Sequence, residues 1–248
     1  MIKVVPLKEG DFYEDEVKNF LPINDKILTT EIQLAIRPFL VVTDACNTLL
    51  DVGLGYKEQG VYVLDQLLAK EGLTPIDINR ILVSHLHKDH INGLLEETDC
   101  GYVCRFPNAK IYMQQREAIF SELSSDDISF DYDILEAVLQ LPNIVWLKED
   151  SGQIDSHFSY EVVGGHTPYM QVFWIKDGAQ TFFYGADNLP KLNYLEYNMA
   201  FKSDLDGKLA MQWRAKWKIE AEEQQWSILF YHDRVQDIWT SNLAETTA

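Results

Sequence analysis

The chain has 248 residues, 46% hydrophobic and 24% charged, a composition that supports a folded protein with a sizeable core. Asp and Glu total 39 against 21 Lys and Arg, a net charge of −18 with no Lys/Arg cluster to offset it, so a nucleic-acid partner is excluded. No apolar run reaches the ~18–20 residues of a membrane span, and residues 1–11 carry Lys3, Lys8, Glu9 and Asp11 where a secretion signal would be apolar, which predicts a cytoplasmic chain with no membrane partner.

Residues 35–43 (AIRPFLVVT) and 48–52 (TLLDV) read as two strands around a turn at 44–47. Gly53 and Gly55 then open a loop. Over 61–71, Val61, Leu64, Leu67 and Leu68 share one helical face, and Gly72 stands just past the helix end. Ile81, Leu82 and Val83 form a short buried strand, and the pattern INGLLEE from Ile91 reads as helical. Further strands are predicted at 110–113, 144–147, 158–163, 171–175, 181–184 and 227–231, with helices at about 114–123, 132–140 and 203–223. The stretch 121–133 (SELSSDDISFDYD) is acidic and aromatic without periodicity, either a loop over a cleft or a solvated surface loop. No Gly/Pro/Ser-rich linker and no internal repeat is present, so a single α/β domain over 1–248 is expected, with mixed sheets and helices packed outside. Three cysteines, Cys46, Cys100 and Cys104, make no even disulfide framework and too few ligands for a structural zinc site.

The six histidines carry the chemistry: His85, His87, His90, His157, His166 and His232. Three lie in Ser84-His85-Leu86-His87-Lys88-Asp89-His90, directly after the 81–83 strand. Side chains at i and i+2 of an extended segment project to one side, so His85 and His87 can grip one ion. Asp89 and His90 turn towards a different place and can serve an adjacent one. Imidazole suits zinc, and carboxylate tolerates manganese or iron. His166 (in GGHTP), Asp187 (in YGAD) and His232 (in LFYH) each follow a predicted strand, where ligand sites of α/β sheets collect. A solvated His-rich loop is the competing reading of 84–90 taken alone; five of six histidines in such positions favour metal. His157 fits no motif and reads as a surface or strand-edge residue.

The series HxHxDH, GHTP, an Asp after an aromatic strand and a late His resembles, in order, the ligand set of the metallo-β-lactamase-fold hydrolases. Asp51-Val52-Gly53 resembles the family's Asp-x-Gly turn, and the matches run from about Leu40 to His232. The resemblance implies a four-layer αββα sandwich, two mixed sheets with helices outside, and a dinuclear site at one edge. It implies that His85, His87 and His166 hold one metal, that Asp89, His90 and His232 hold the second, and that Asp187 bridges them. It implies further that Asp51 orients a ligand from behind and that the cofactors are two divalent ions, zinc first, with manganese or iron as alternates. The chemistry expected of such a site is attack on the substrate by a hydroxide shared between the metals, with Asp89 moving the proton to the leaving group.

Departures prune the branches. True zinc β-lactamases lack the aspartate at the position of Asp187, flavo-diiron proteins carry Glu where His87 stands, and ribonuclease-type members are longer. Glyoxalase II has a helical C-terminal extension, whereas 16 residues follow His232 here. Tyr169-Met170 replaces the Gly-His of many members. Residues 188–225 are similar to the substrate-side region of lactonases and organophosphate-ester hydrolases, with Asp204, Asp206 and Arg214; the two acids read equally as a helix-start charge pattern. Tyr184, Asn188, Tyr194 and Tyr231 are candidates to hydrogen-bond a substrate oxygen, or core residues. The expected activity is hydrolysis of a small-molecule ester or lactone. Phosphodiester or phosphotriester hydrolysis is the alternative within the same chemistry, and a non-catalytic metal- or ligand-binding protein the alternative outside it. Aromatics near Trp213 and Trp217 offer either a homodimer face or helix core.

Overall fold

The computed structural model describes residues 2–23, 32–124 and 126–241. It divides into two compact units, Met1–Leu147 and Lys148–Ala248. Each is built on a six-stranded mixed sheet.

In the first unit the strand order is Lys3–Pro6, Phe39–Val42, Asn47–Leu50, Arg80–Leu82, Lys110–Gln114, Ile144–Leu147. The first three pair antiparallel and the remainder parallel. Parallel pairing demands long crossovers, and these carry the Val63–Lys70, Gln115–Leu123 and Tyr132–Leu139 helices. Leu49, Ile81, Ile111 and Ile144 stand opposite one another across four strands. Leu64 and Leu68 of one helix and Leu135 and Val138 of another join the same buried cluster as Leu49, Ile81 and Ile111.

In the second unit the order is Ser151–Gln153, Phe158–Val162, Gln171–Asp177, Gln180–Tyr184, Ser227–Leu229, Ile238–Thr240. Only Gln180–Tyr184 and Ser227–Leu229 run parallel, and the Gly207–Gln224 helix lies in the crossover between them. Phe173–Tyr184 and Ile175–Phe182 are cross-strand pairs of the kind that stabilise sheets by roughly 0.2–1 kcal/mol each. The helix buries Ala210, Arg214, Trp217 and Ala221 in a single stripe, and the Trp217 ring lies 4.8 Å from that of Phe183.

Several expectations are corrected. The run 35–43 is two strands, because Arg37 and Pro38 break it: Ile32–Ile36 joins a separate sheet with Gly10–Glu14 and Phe20–Pro22, and Phe39–Val42 joins the large one. Val61 belongs to a two-residue strand ahead of the helix. The INGLLEE pattern is not a helix; after a 3-10 turn at Asn92–Leu94, Leu95–Thr98 pairs with Gly101–Cys104 as a hairpin, with Cys100 exposed in its turn and Cys104 half-buried. The helix at 203–223 begins later, at Gly207, where the Asp206 carboxylate accepts the Leu209 N–H, and a short Leu192–Tyr197 helix precedes it. Trp217 is fully buried and is a core residue, and half-buried Trp213 donates its Nε1–H to the Val163 carbonyl at 2.7 Å. Among the described residues no helix is long and apolar enough to cross a membrane.

Candidate metal-ligating residues

In the first unit the chain leaves the sheet after Leu82, beside Asp51, which sits one residue past the neighbouring strand at φ +53°. Such a backbone is strained for a non-glycine residue and persists only where its surroundings impose it. Here they do. The buried Asp51 carboxylate accepts the Ser84 N–H and Oγ–H, both at 2.7 Å, and the His90 Nδ1–H at 2.8 Å. Having given its proton to Asp51, the Ser84 hydroxyl accepts from His85 Nδ1 at 3.0 Å. One carboxylate thus keeps the proton on Nδ1 of both rings and leaves each Nε2 lone pair available as a ligand.

The His85 ring lies 4.5 Å from that of His87 and 4.1 Å from that of His90. A single turn of helix, Lys88–Ile91, carries Asp89 and His90, with Asp89 Oδ2 3.6 Å from His90 Nε2. The next segment closes on the Asp51 turn: Val52 donates to the His90 carbonyl and Gly93 to that of Gly53, each at 3.0 Å. Gly93 has no room for a Cβ against the Val52 carbonyl. Arg105 donates to the Gly93 carbonyl, pairs with Asp65 and stacks on Tyr62. Beneath the turn, buried Glu9 accepts the Leu54 N–H at 2.7 Å. Burial pushes its carboxyl up to about 8, against the opposing pull of that N–H and of Arg105.

The acidic stretch is tied to the ligand segment. Lys88 donates its N–H to the Ser129 carbonyl and its Nζ to that of Ile128, and the Phe130 ring lies 5.0 Å from the His87 ring. Ser125, within that stretch, lies outside the described residues.

In the second unit His166 follows Gly164 and Gly165, both at positive φ; a Cβ on Gly165 would lie 2.6 Å from the Asn188 amide oxygen. Asn188 accepts the His166 N–H at 2.8 Å and donates to the Gly164 carbonyl at 2.5 Å, so it holds this turn and is not a substrate contact. Asp187 stands in the 3-10 turn Ala186–Asn188, after Ala186 at φ +43°. His232 is fixed by its N–H to the Pro190 carbonyl. The Asp187 carboxylate lies 3.4 Å from His166 Nε2 and 3.2 Å from His232 Nε2. Nδ1 of His166 faces Asp204 at 3.3 Å.

Tyr184 and Tyr231 are fully buried with rings 6.3 Å apart, and are core residues. Half-buried Tyr194 stacks on Phe201; burial first, then the charges of Asp204 and Asp187, push its phenol up to about 12, so it remains a proton donor. Met170 is buried and its carbonyl accepts from Val163, closing the GGHTP loop. His157 hydrogen-bonds the Lys176 carbonyl at a strand edge. Ser84 and Glu9 were not evident from the sequence; a Ser immediately before HxHxDH is the one local signal.

His85, Asp89, His90, His166, Asp187 and His232 are each 9% exposed or less. Burying so many ionisable groups is costly unless a cation compensates them. Imidazoles with Nδ1 engaged by oxygen and Nε2 directed away are the donors that divalent transition metals take. The residues fit the implied metals.

The model of the metallo-beta-lactamase superfamily matches residues 35–221. No curated protein sequence matches the chain significantly. Among solved structures, a probable metal-dependent hydrolase from Staphylococcus aureus superposes with a TM-score of 0.77 at 20% identity, covering 96% of this chain and 92% of that one. AidC, a dizinc quorum-quenching lactonase in complex with a product, gives 0.77 at 22% identity over 99% and 92%. The hydrolase AbOPH gives 0.76 at 20% over 98% and 91%. At such identities the likeness is one of fold.

Proposed function

This chain belongs to the metallo-β-lactamase superfamily and is a metal-dependent hydrolase, and from that premise we propose that it cleaves a small-molecule ester, a lactone first, as one catalytic domain. His85, His87 and His166 would hold one divalent cation and Asp89, His90 and His232 a second, with Asp187 serving both; zinc is the first candidate. Such a pair supplies an activated water near neutral pH and polarises a carbonyl.

The chain's own residues do the rest. Asp51, directly and through Ser84, fixes the tautomers of His90 and His85. Asp89 is the proton carrier: its carboxylate takes the proton released by the attacking water and passes it to the leaving alkoxide as the C–O bond of the ester breaks. Tyr194, a donor at neutral pH, hydrogen-bonds a substrate oxygen. Phe130 packs edge-on against the His87 ring and limits its movement.

The observation that supports the reading best is the Asp187 carboxylate set between two imidazole Nε2 atoms. That a dizinc lactonase shares this fold is the reason lactones come first among the esters proposed. Elemental analysis of the purified protein should find two equivalents of metal. A panel of lactones, p-nitrophenyl esters, phosphodiesters and phosphotriesters then identifies the bond cleaved. Lactone turnover that chelation removes and zinc restores supports the reading; activity confined to phosphoesters replaces the substrate class, and a metal-loaded protein inactive on all of them makes it a binding protein.

A further inference from the structure

Asp204 and Arg214 remain outside the ligand set, and the structure places them behind one of its members. The segment around Asp204 runs along the His166 turn: Leu205 donates its N–H to the His166 carbonyl at 3.2 Å and Asp206 to that of Gly165 at 2.8 Å. Asp206 caps the following helix. Asp204, two residues earlier, turns inward; its side chain is fully buried, with Oδ1 3.3 Å from His166 Nδ1. Its other oxygen lies 3.7 Å from Arg214, which is itself buried and rises from the helix that Asp206 caps. Arg214 donates to the carbonyls of Asn188 at 2.8 Å and Met199 at 2.6 Å, and Asn188 in turn holds the His166 N–H.

We propose that Asp204 is a positioning residue for His166, fixing its ring with Nδ1 engaged so that Nε2 is left for the metal, and that buried Arg214 holds Asp204 in place. The inference rests on the metal reading above. Three features favour it over a helix-start charge or a substrate contact. The helix start is already served by Asp206. The Asp204 side chain has no exposed surface to offer a substrate. A carboxylate behind a ligating imidazole both orients the ring and raises its basicity.

The test is zinc affinity, measured by competition with a chromophoric chelator. In Asp204→Ala one of two zinc sites should weaken ~10–100-fold, with a smaller loss in Asp204→Asn, which keeps an acceptor oxygen. In a His166→Ala background, Asp204→Ala should add nothing further. Unchanged affinities in a folded Asp204→Ala, or a full extra loss in the His166→Ala background, would overturn the assignment. Should Asp204→Ala fail to fold, the zinc-loaded wild type decides: a slowly exchanging His166 Nδ1–H resonance supports the assignment, and an Nε2–H tautomer for that ring refutes it. A wild type that binds no zinc is a separate result, since it removes the metal reading itself.

Discussion

The two units present their ligand-type residues in different ways. In the first, His85, His87, Asp89 and His90 come from one strand end and one turn of helix, and a single carboxylate, Asp51, anchors the segment. In the second, His166, Asp187 and His232 come from three places, and sheet register plus the Asn188–Arg214–Asp204 network brings them together. A local cluster depends on its anchor. A dispersed one depends on the fold beneath it.

Changes to the two arrangements should therefore fail differently. The largest effect is expected at the proposed bridging group: Asp187→Ala, like exhaustive chelation of the wild type, should abolish detectable hydrolysis and lower bound metal, whereas His157→Ala should leave both unchanged. Elemental analysis beside an activity assay checks this. Next, Trp217→Ala removes the ring that seats the long helix on the second sheet, and should cost about 3–5 kcal/mol of stability. Calorimetry would read this as a fall of ~2–4 °C per kcal/mol in the midpoint. If ligand placement in this unit depends on the fold, zinc affinity should fall with it; unchanged affinity would break the comparison.

In the first unit, Asp51→Ala should weaken zinc binding ~10–100-fold, and Ser84→Ala, which touches the His85 ring alone, should do less; chelator competition ranks them. The smallest effect is a slope. Glu9 carries a raised pKa in the folded chain, so its contribution to stability is complete below the ordinary carboxylate value near 4.5 and is lost as pH rises towards about 8. Glu9→Gln should flatten the wild type's decline over that interval, by up to about 1.4 kcal/mol per pH unit. Urea unfolding at several pH values would show it, and identical slopes would count against a buried, protonated Glu9.

What could be read in advance follows the same division. HxHxDH was legible because its residues are adjacent and their alternation has a direct geometric meaning. His166, Asp187 and His232 were legible because each follows an apolar strand. Their supports were not: nothing local in the sequence marks Glu9 as lying under Leu54, or distinguishes Asp204, which faces an imidazole, from Asp206, which caps a helix. Tyr184 and Asn188 misled for the same reason, since a polar residue beside a ligand looks alike whether it faces a cleft or braces a turn. The strand break at Pro38 and the hairpin at 95–104 were missed where apolar periodicity outweighed backbone chemistry.

Asp51 settles two imidazoles with one side chain, and that has a bearing on how the protein acquires its ions. Rings whose tautomers are chosen during folding need no rearrangement when a cation arrives, so loading reduces to diffusion and dehydration. The first unit should then keep its tertiary structure when stripped, and ion exchange should proceed without unfolding as an intermediate step.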